Sequence, residues 1–175
     1  MLLKKFFKDN LAIEGMPMRI AVTMIIFSVI LGISAKAALN FADDAKEKKL
    51  IHELDLIEKR ASMMYAQGGA REINDPGDIS GSRENIHVKI PDNVIYAVFG
   101  SLPASEGGPP GTRDIHTDNV YYYVLDNGRV QTGSSNARFS ANDTGLSTPF
   151  VLYPGEYELT LELVKNKNGT YVKIE

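Results

Sequence analysis

The chain's 175 residues include three histidines, 22 acidic residues and no cysteine, and these set its chemical repertoire. Without cysteine there are no disulfides, no thiolate nucleophile and no Cys-ligated zinc or iron–sulfur centre. His52, His87 and His116 have no partner at metal-ligand spacing. The nearest approach is Asp114-Ile115-His116-Thr117-Asp118, a polar run that would need ligands from elsewhere and that reads as solvated loop. There is no Gly-x-Ser-x-Gly, and no phosphate-cradling glycine loop follows a strand. Ser101, Ser105 and the serines between 134 and 147 fall in turn-rich runs, where serine serves local hydrogen bonds. The carboxylate pair Asp43-Asp44 is explained by interfacial charge before acid–base work. The expectation is no catalytic residue, no metal, no cofactor and no enzymatic activity.

Tyr121-Tyr122-Tyr123 offers aromatic surface. Successive strand residues face opposite ways, so at least one of the three points away from the core; packing is the simpler role for them. Asn142-Asp143-Thr144 and Asn168-Gly169-Thr170 fit the N-glycosylation acceptor pattern, making Asn142 and Asn168 candidate modification sites. A net charge of -3 argues against a nucleic-acid partner, which would call for a basic face.

Whatever these residues do depends on how the chain holds them, and one stretch dominates. Ile20 to Ala42 (IAVTMIIFSVILGISAKAALNFA) carries Lys36 as its only charge. A helix rises about 1.5 Å per residue, so roughly 20 apolar residues cross a hydrocarbon core about 30 Å thick. Lys36, near the end, can snorkel to the headgroups. Lys4, Lys5, Lys8 and Arg19 precede the stretch and Asp43-Asp44 follow it, which orients the amino terminus to the cytoplasm and the rest outside. The competing reading is a cleaved secretory signal with Ala35-Lys36-Ala37 as its processing site. The long acidic-containing start (Asp9, Glu14) and the helical pattern beyond the stretch favour retention.

From residue 43 to 67 the chain is rich in helix formers and free of proline. Leu50, Leu54, Ile57, Ala61 and Met64 recur at steps of four and three, an apolar stripe down one face. The stripe spans about two heptads, too short for a sustained coiled coil, so packing on the chain's own sheet is expected. Gly68-Gly69 ends the helix. The period then changes. After a turn-rich linker, apolar alternation marks strands at 86–90, 94–99 and 120–125, a return at 129–132, short pieces at 137–140 and 150–153, and a hairpin from Tyr157 to Ile174 turning at 165–169. Gly100 to Asn119 reads as a long disordered loop. The expected organisation is a basic leader (1–19), a transmembrane helix (20–42), an amphipathic stalk (43–69), a linker (70–85) and a small antiparallel β-sheet or sandwich domain (86–175), an α+β class with the stalk covering the sheet.

A short basic leader with Glu14-Gly15, an apolar helix extending as an amphipathic stalk, and a β-domain containing IPDNVIYAVFG and ending FVLYPGEYELTLELVKNKNGTYVKIE resemble the pilin-like, membrane-anchored surface proteins of archaea, within the type IV pilins. The resemblance implies leader cleavage between Gly15 and Met16, and a structural role in a filament, secretion or envelope assembly. This chain has Ile20 where the family has a glutamate, Glu14 where a basic residue is usual, and Pro17 and Arg19 close to the cut, so an anchored accessory component fits better than a major filament subunit. Ser28, Gly32 and Ala35 place small residues where helices could approach closely. The expected partners are membrane lipid and other membrane helices, including copies of this chain. The alternative is a membrane-tethered binding or sensory module using the 100–119 and 133–148 loops.

Overall fold

The computed structural model describes residues 6–75, 77–103, 117–143 and 148–175. The chain divides into two compact units, residues 1–45 and 46–175. One helix, α1 (Phe6–Gln67), contains all of the first unit's described residues and opens the second. It starts well ahead of the apolar stretch, through residues read as a leader. Lys, Leu and Ala there are good helix formers, and nothing before Gly15 breaks the pattern. Pro17 lies inside the helix, where it lacks the N–H that would reach back one turn. At the other end the Gly68 amide donates to the Met64 carbonyl at 3.2 Å, and Gly68 and Gly69 take φ of 73° and 82°, the left-handed conformation that closes helices.

The second unit carries two sheets. The spine of the first is β8 (Gly155–Asn166). Strand β2 (Arg83–Ile90) runs antiparallel along it from Arg83↔Glu162 to Ile90↔Gly155, and β9 (Gly169–Ile174) returns as a hairpin from Asn166↔Gly169 to Leu161↔Ile174. Two short strands complete it. β1 (Arg71–Glu72) lies parallel to β8, and β6 (Phe139–Ser140) lies parallel to β9. The second sheet has the order β5-β4-β3-β7, from β5 (Val130–Ser134), β4 (Val120–Leu125), β3 (Val94–Phe99) and β7 (Phe150–Leu152), all antiparallel.

The first sheet is therefore mixed, where alternation had suggested a purely antiparallel one. Two-residue strands such as Arg71-Glu72 have no period to read, and their parallel partners are fixed by tertiary contacts. β1 and the start of β2 also fall inside the stretch 70–85 read as linker.

Both sheets and the helix share one core. Leu50, Leu54, Ile57 and Ala61 are no more than 1 % exposed, and Met64 4 %. They pack with Ile86, Val88 and Ile90 of β2, with Leu159, Leu161 and Leu163 of β8, and with Ala97, Phe99 and Tyr123 of the second sheet. Aromatic rings fill its centre: Phe99 stacks on Tyr121 at 5.4 Å and meets Phe139 edge-on at 5.1 Å. Tyr121 and Tyr123 turn inward, and Tyr122 turns to the sheet's other face. There it is fully buried with Val98 and Val124 and edge-on to Tyr96. All three tyrosines therefore pack.

Candidate functional site

The sequence named several candidate residues, and the structure places them in separate environments. In the first unit, α1 is exposed on every side from Met18 to Phe41. Ile25 is 64 % exposed, Phe27 60 % and Ile33 67 %. It is the one helix, among the described residues, long and apolar enough to cross a membrane. Two of its hydroxyls are satisfied within the helix: Thr23 Oγ1 donates to the Arg19 carbonyl and Ser28 Oγ to the Met24 carbonyl, each at 2.8 Å. This is how such groups avoid a desolvation cost in an apolar medium. Ser28, Gly32 and Ala35 are exposed, and a Cβ built on Gly32 meets nothing within 4 Å. Gly15 and Met16 lie within the helical run, and their side chains lie outside the described residues.

Two of the three histidines are among the described residues. His52 is exposed on α1. His87, on β2, sits with Nδ1 3.2 Å from Glu158 Oε1 on the solvent side of the sheet. Asp114 and His116 lie outside the described residues, and no group of three potential metal ligands forms among the described residues. Asn168 is exposed in the β8–β9 turn, where its amide N–H donates to the Asn166 side chain at 2.8 Å. Asn142 is half-buried, and its Nδ2 donates to Thr148 Oγ1 at 2.6 Å.

A charged cluster that sequence reasoning missed lies on the face of the first sheet away from the core. Arg71 grips Glu162 with Nε and Nη2, at 2.7 and 3.1 Å. Lys173, 5 % exposed, holds its ammonium 2.7 Å from Glu175, 2.9 Å from Asp143 and 3.3 Å from Glu162. The Arg71 hydrogen bond, helped by Lys173 and opposed by burial, holds the Glu162 carboxyl below its usual range. Burial pushes Lys173 down, but hydrogen bonds to Glu175 and Asp143 outweigh it and leave the ammonium above its usual value. A lysine held protonated is no nucleophile, and a carboxylate held ionised is no proton donor. The cluster is an electrostatic clamp. Half of it was legible, because the β8–β9 hairpin sets Glu162 opposite Lys173. Arg71 arrives on a parallel strand without a sequence signature.

Two polar arrangements tie α1 into the domain. Ser62 Oγ and Ser135 Oγ both donate to Glu58 Oε1, at 2.6 and 2.9 Å, and Ser135 Oγ accepts from the Ala137 amide at 3.0 Å. Among the described residues Ser135 thus has hydroxyl and carboxylate neighbours but no histidine base, and it fastens the helix. At the other end of the domain's helix, Lys46 pairs with Asp92 at 2.7 Å, and Glu47 takes a two-pronged contact from Arg129 at 3.0 and 3.1 Å.

One groove, about 170 Å³, opens between α1 and β4–β5, with Ile51, Asp55, Tyr121, Tyr123 and Gln131 among its walls. Its size suits a single side chain. Asp55 and tyrosine hydroxyls are its ionisable groups, and burial, then the nearby carboxylates of Asp55 and Glu58, pushes Tyr121 above its usual value.

No protein-family model, curated protein or solved structure matches the chain.

Proposed function

We propose that this protein is a single-pass membrane protein of the cell surface, with a cytoplasmic amino terminus and an outer β-domain. On this reading it is a pilin-like structural or accessory component of a filament, secretion or envelope assembly, without enzymatic activity. The observation that carries the reading is the exposure of every large apolar side chain from Met18 to Phe41 in a helix whose later turns form the core of a folded domain. Burying that much apolar surface, at about 25 cal/mol per Å², demands a lipid or helical environment. The self-satisfied hydroxyls of Thr23 and Ser28 suit the same environment. The pilin resemblance adds a use for such an architecture, in which helices pack together and β-domains contact one another outside.

The rival reading, a tethered binding module, draws on the groove beside Ile51 and Asp55. Cross-linking in native membranes separates the two. An assembly component gives a ladder of self- or partner-linked species that collapses when Gly32 is made bulky. A tethered module stays a single species in mild detergent.

A further inference from the structure

The end of the β-domain through which the chain enters is built from the Lys46–Asp92 and Glu47–Arg129 ion pairs, which fasten the β2–β3 and β4–β5 turns to the first residues of the domain's helix. The two turns also join directly, the Asp126 amide donating to the Asn93 carbonyl at 3.0 Å. Two large apolar side chains stand exposed beside this fastening. Ile95, three residues past Asp92, is 46 % exposed at a register shift in β3. Tyr153, one step beyond the Ala97↔Leu152 pair and so opposite Tyr96, is 59 % exposed. The Tyr157 hydroxyl donates to the Tyr153 carbonyl at 3.1 Å, adding a partly buried aromatic to the group. Three ion pairs surround it: Lys46 with Asp92, Arg129 with Glu47, and Lys89 with Glu156.

We propose that this end of the domain, led by Tyr153 and Ile95, is a lipid-contacting surface seated in the headgroup layer of the membrane that holds residues 20–42. The inference rests on the membrane-span reading above. Only residues 43–45 separate the end of the apolar run from Lys46, and a chain advances at most about 3.6 Å per residue. Headgroup layers are about 5–7 Å deep on each side of the hydrocarbon core, so a tether this short brings the entry end to the interface. Tyrosine is a side chain of that layer, with an apolar ring and a polar tip. With Lys46, Lys89 and Arg129 each held by a carboxylate, the contact draws on aromatic and aliphatic insertion and does not depend on anionic lipid.

The chain has no tryptophan, so single replacements give unambiguous fluorescence. Full-length Tyr153→Trp, Met63→Trp and Phe27→Trp proteins are reconstituted in phosphatidylcholine vesicles, with and without phosphatidylglycerol. Each is probed with a headgroup spin label and a mid-chain doxyl label. Met63 is an exposed position of α1 seventeen residues beyond Lys46, about 25 Å along a helix, and reports on surface away from the entry end. The expected result is headgroup-label quenching of Tyr153→Trp about twofold or more above Met63→Trp, equal in both lipids, with Phe27→Trp quenched by the doxyl label. Equal, low quenching of Tyr153→Trp and Met63→Trp, with Phe27→Trp still quenched, overturns the headgroup contact and leaves the span standing. Absence of doxyl quenching at Phe27→Trp overturns both. Quenching of Tyr153→Trp only with phosphatidylglycerol contradicts contact by aromatic and aliphatic insertion.

Discussion

Glu162 receives the Arg71 guanidinium on both of its oxygens, at 2.7 and 3.1 Å, and shares one of them with Lys173 at 3.3 Å. Two cations on a mostly buried carboxylate tie β1, β8 and β9 together on the face of the sheet that the core does not reach. Glu162→Gln keeps the shape and removes the charge, leaving Arg71 without its anion. A loss of about 1–3 kcal/mol in domain stability follows from the value of hydrogen bonds to charged groups. Urea unfolding followed by near-UV circular dichroism of the eight tyrosines measures it.

The same cluster sets a pH window. Glu162 is held below its ordinary value of 4.5, first by the Arg71 hydrogen bond, so its contribution is present above that value and is lost as pH falls through the lowered one. Lys173 ends above its ordinary 10.5 because carboxylate contacts outweigh burial, so its contribution is full below 10.5 and is lost as pH rises through the raised value. Domain stability should form a plateau between these limits. Glu162→Gln should flatten the acid limb, and Lys173→Met the alkaline limb, in unfolding midpoints measured across pH. Unchanged limbs in both variants would contradict the clamp.

A Cβ on Gly133 would lie 2.3 Å from Tyr121 Cζ, closer than atoms can approach. The ring cannot simply swing away, because it stacks on Phe99. Gly133→Ala should therefore destabilise the domain by about 1–3 kcal/mol, the usual cost of overpacking. Combining it with Tyr121→Ala should cost less than the sum of the two single changes, a coupling that a double-mutant cycle reads directly.

The helical stripe offers a graded test. Leu54 is 1 % exposed in the core, whereas Ile51, one turn earlier, is 40 % exposed. Leu54→Ala should cost about 2–5 kcal/mol, and Ile51→Ala well under 1 kcal/mol, in chemical unfolding of the full-length protein.

Gly32 offers a test that separates folding from the proposed helix packing. A Cβ there meets nothing within 4 Å, so Gly32→Leu should leave the unfolding midpoint of the β-domain unchanged. If the apolar helices pack against one another in the membrane, the same change should lower the cross-linked fraction of native membranes several-fold.

Period is what made much of this fold readable. Leu50, Leu54, Ile57, Ala61 and Met64 announced a helix face by steps of three and four, and Tyr157, Leu159, Leu161 and Leu163 announced a strand by steps of two. The hairpin register then follows, with Glu162 beside Lys173. Arg71-Glu72 and Phe139-Ser140 were opaque because two residues carry no period, and the parallel partners they find lie far along the chain. Tyr122 was half-legible. Alternation turns it away from Tyr121 and Tyr123, but no local pattern told that its own face is also buried. The apolar helix was the clearest feature of all, since length and composition alone decide whether a helix can cross a bilayer.

The central claim is that residues 20–42 are retained and hold the protein in a membrane. Intact mass with amino-terminal sequencing, on protein recovered from alkaline-carbonate-washed membranes, tests it most directly. The account predicts a washed-membrane protein that still contains Ile20 to Ala42, beginning at the natural amino terminus or, after pilin-type processing, at Met16. A soluble protein beginning at Ala38, absent from the washed membranes, would contradict it.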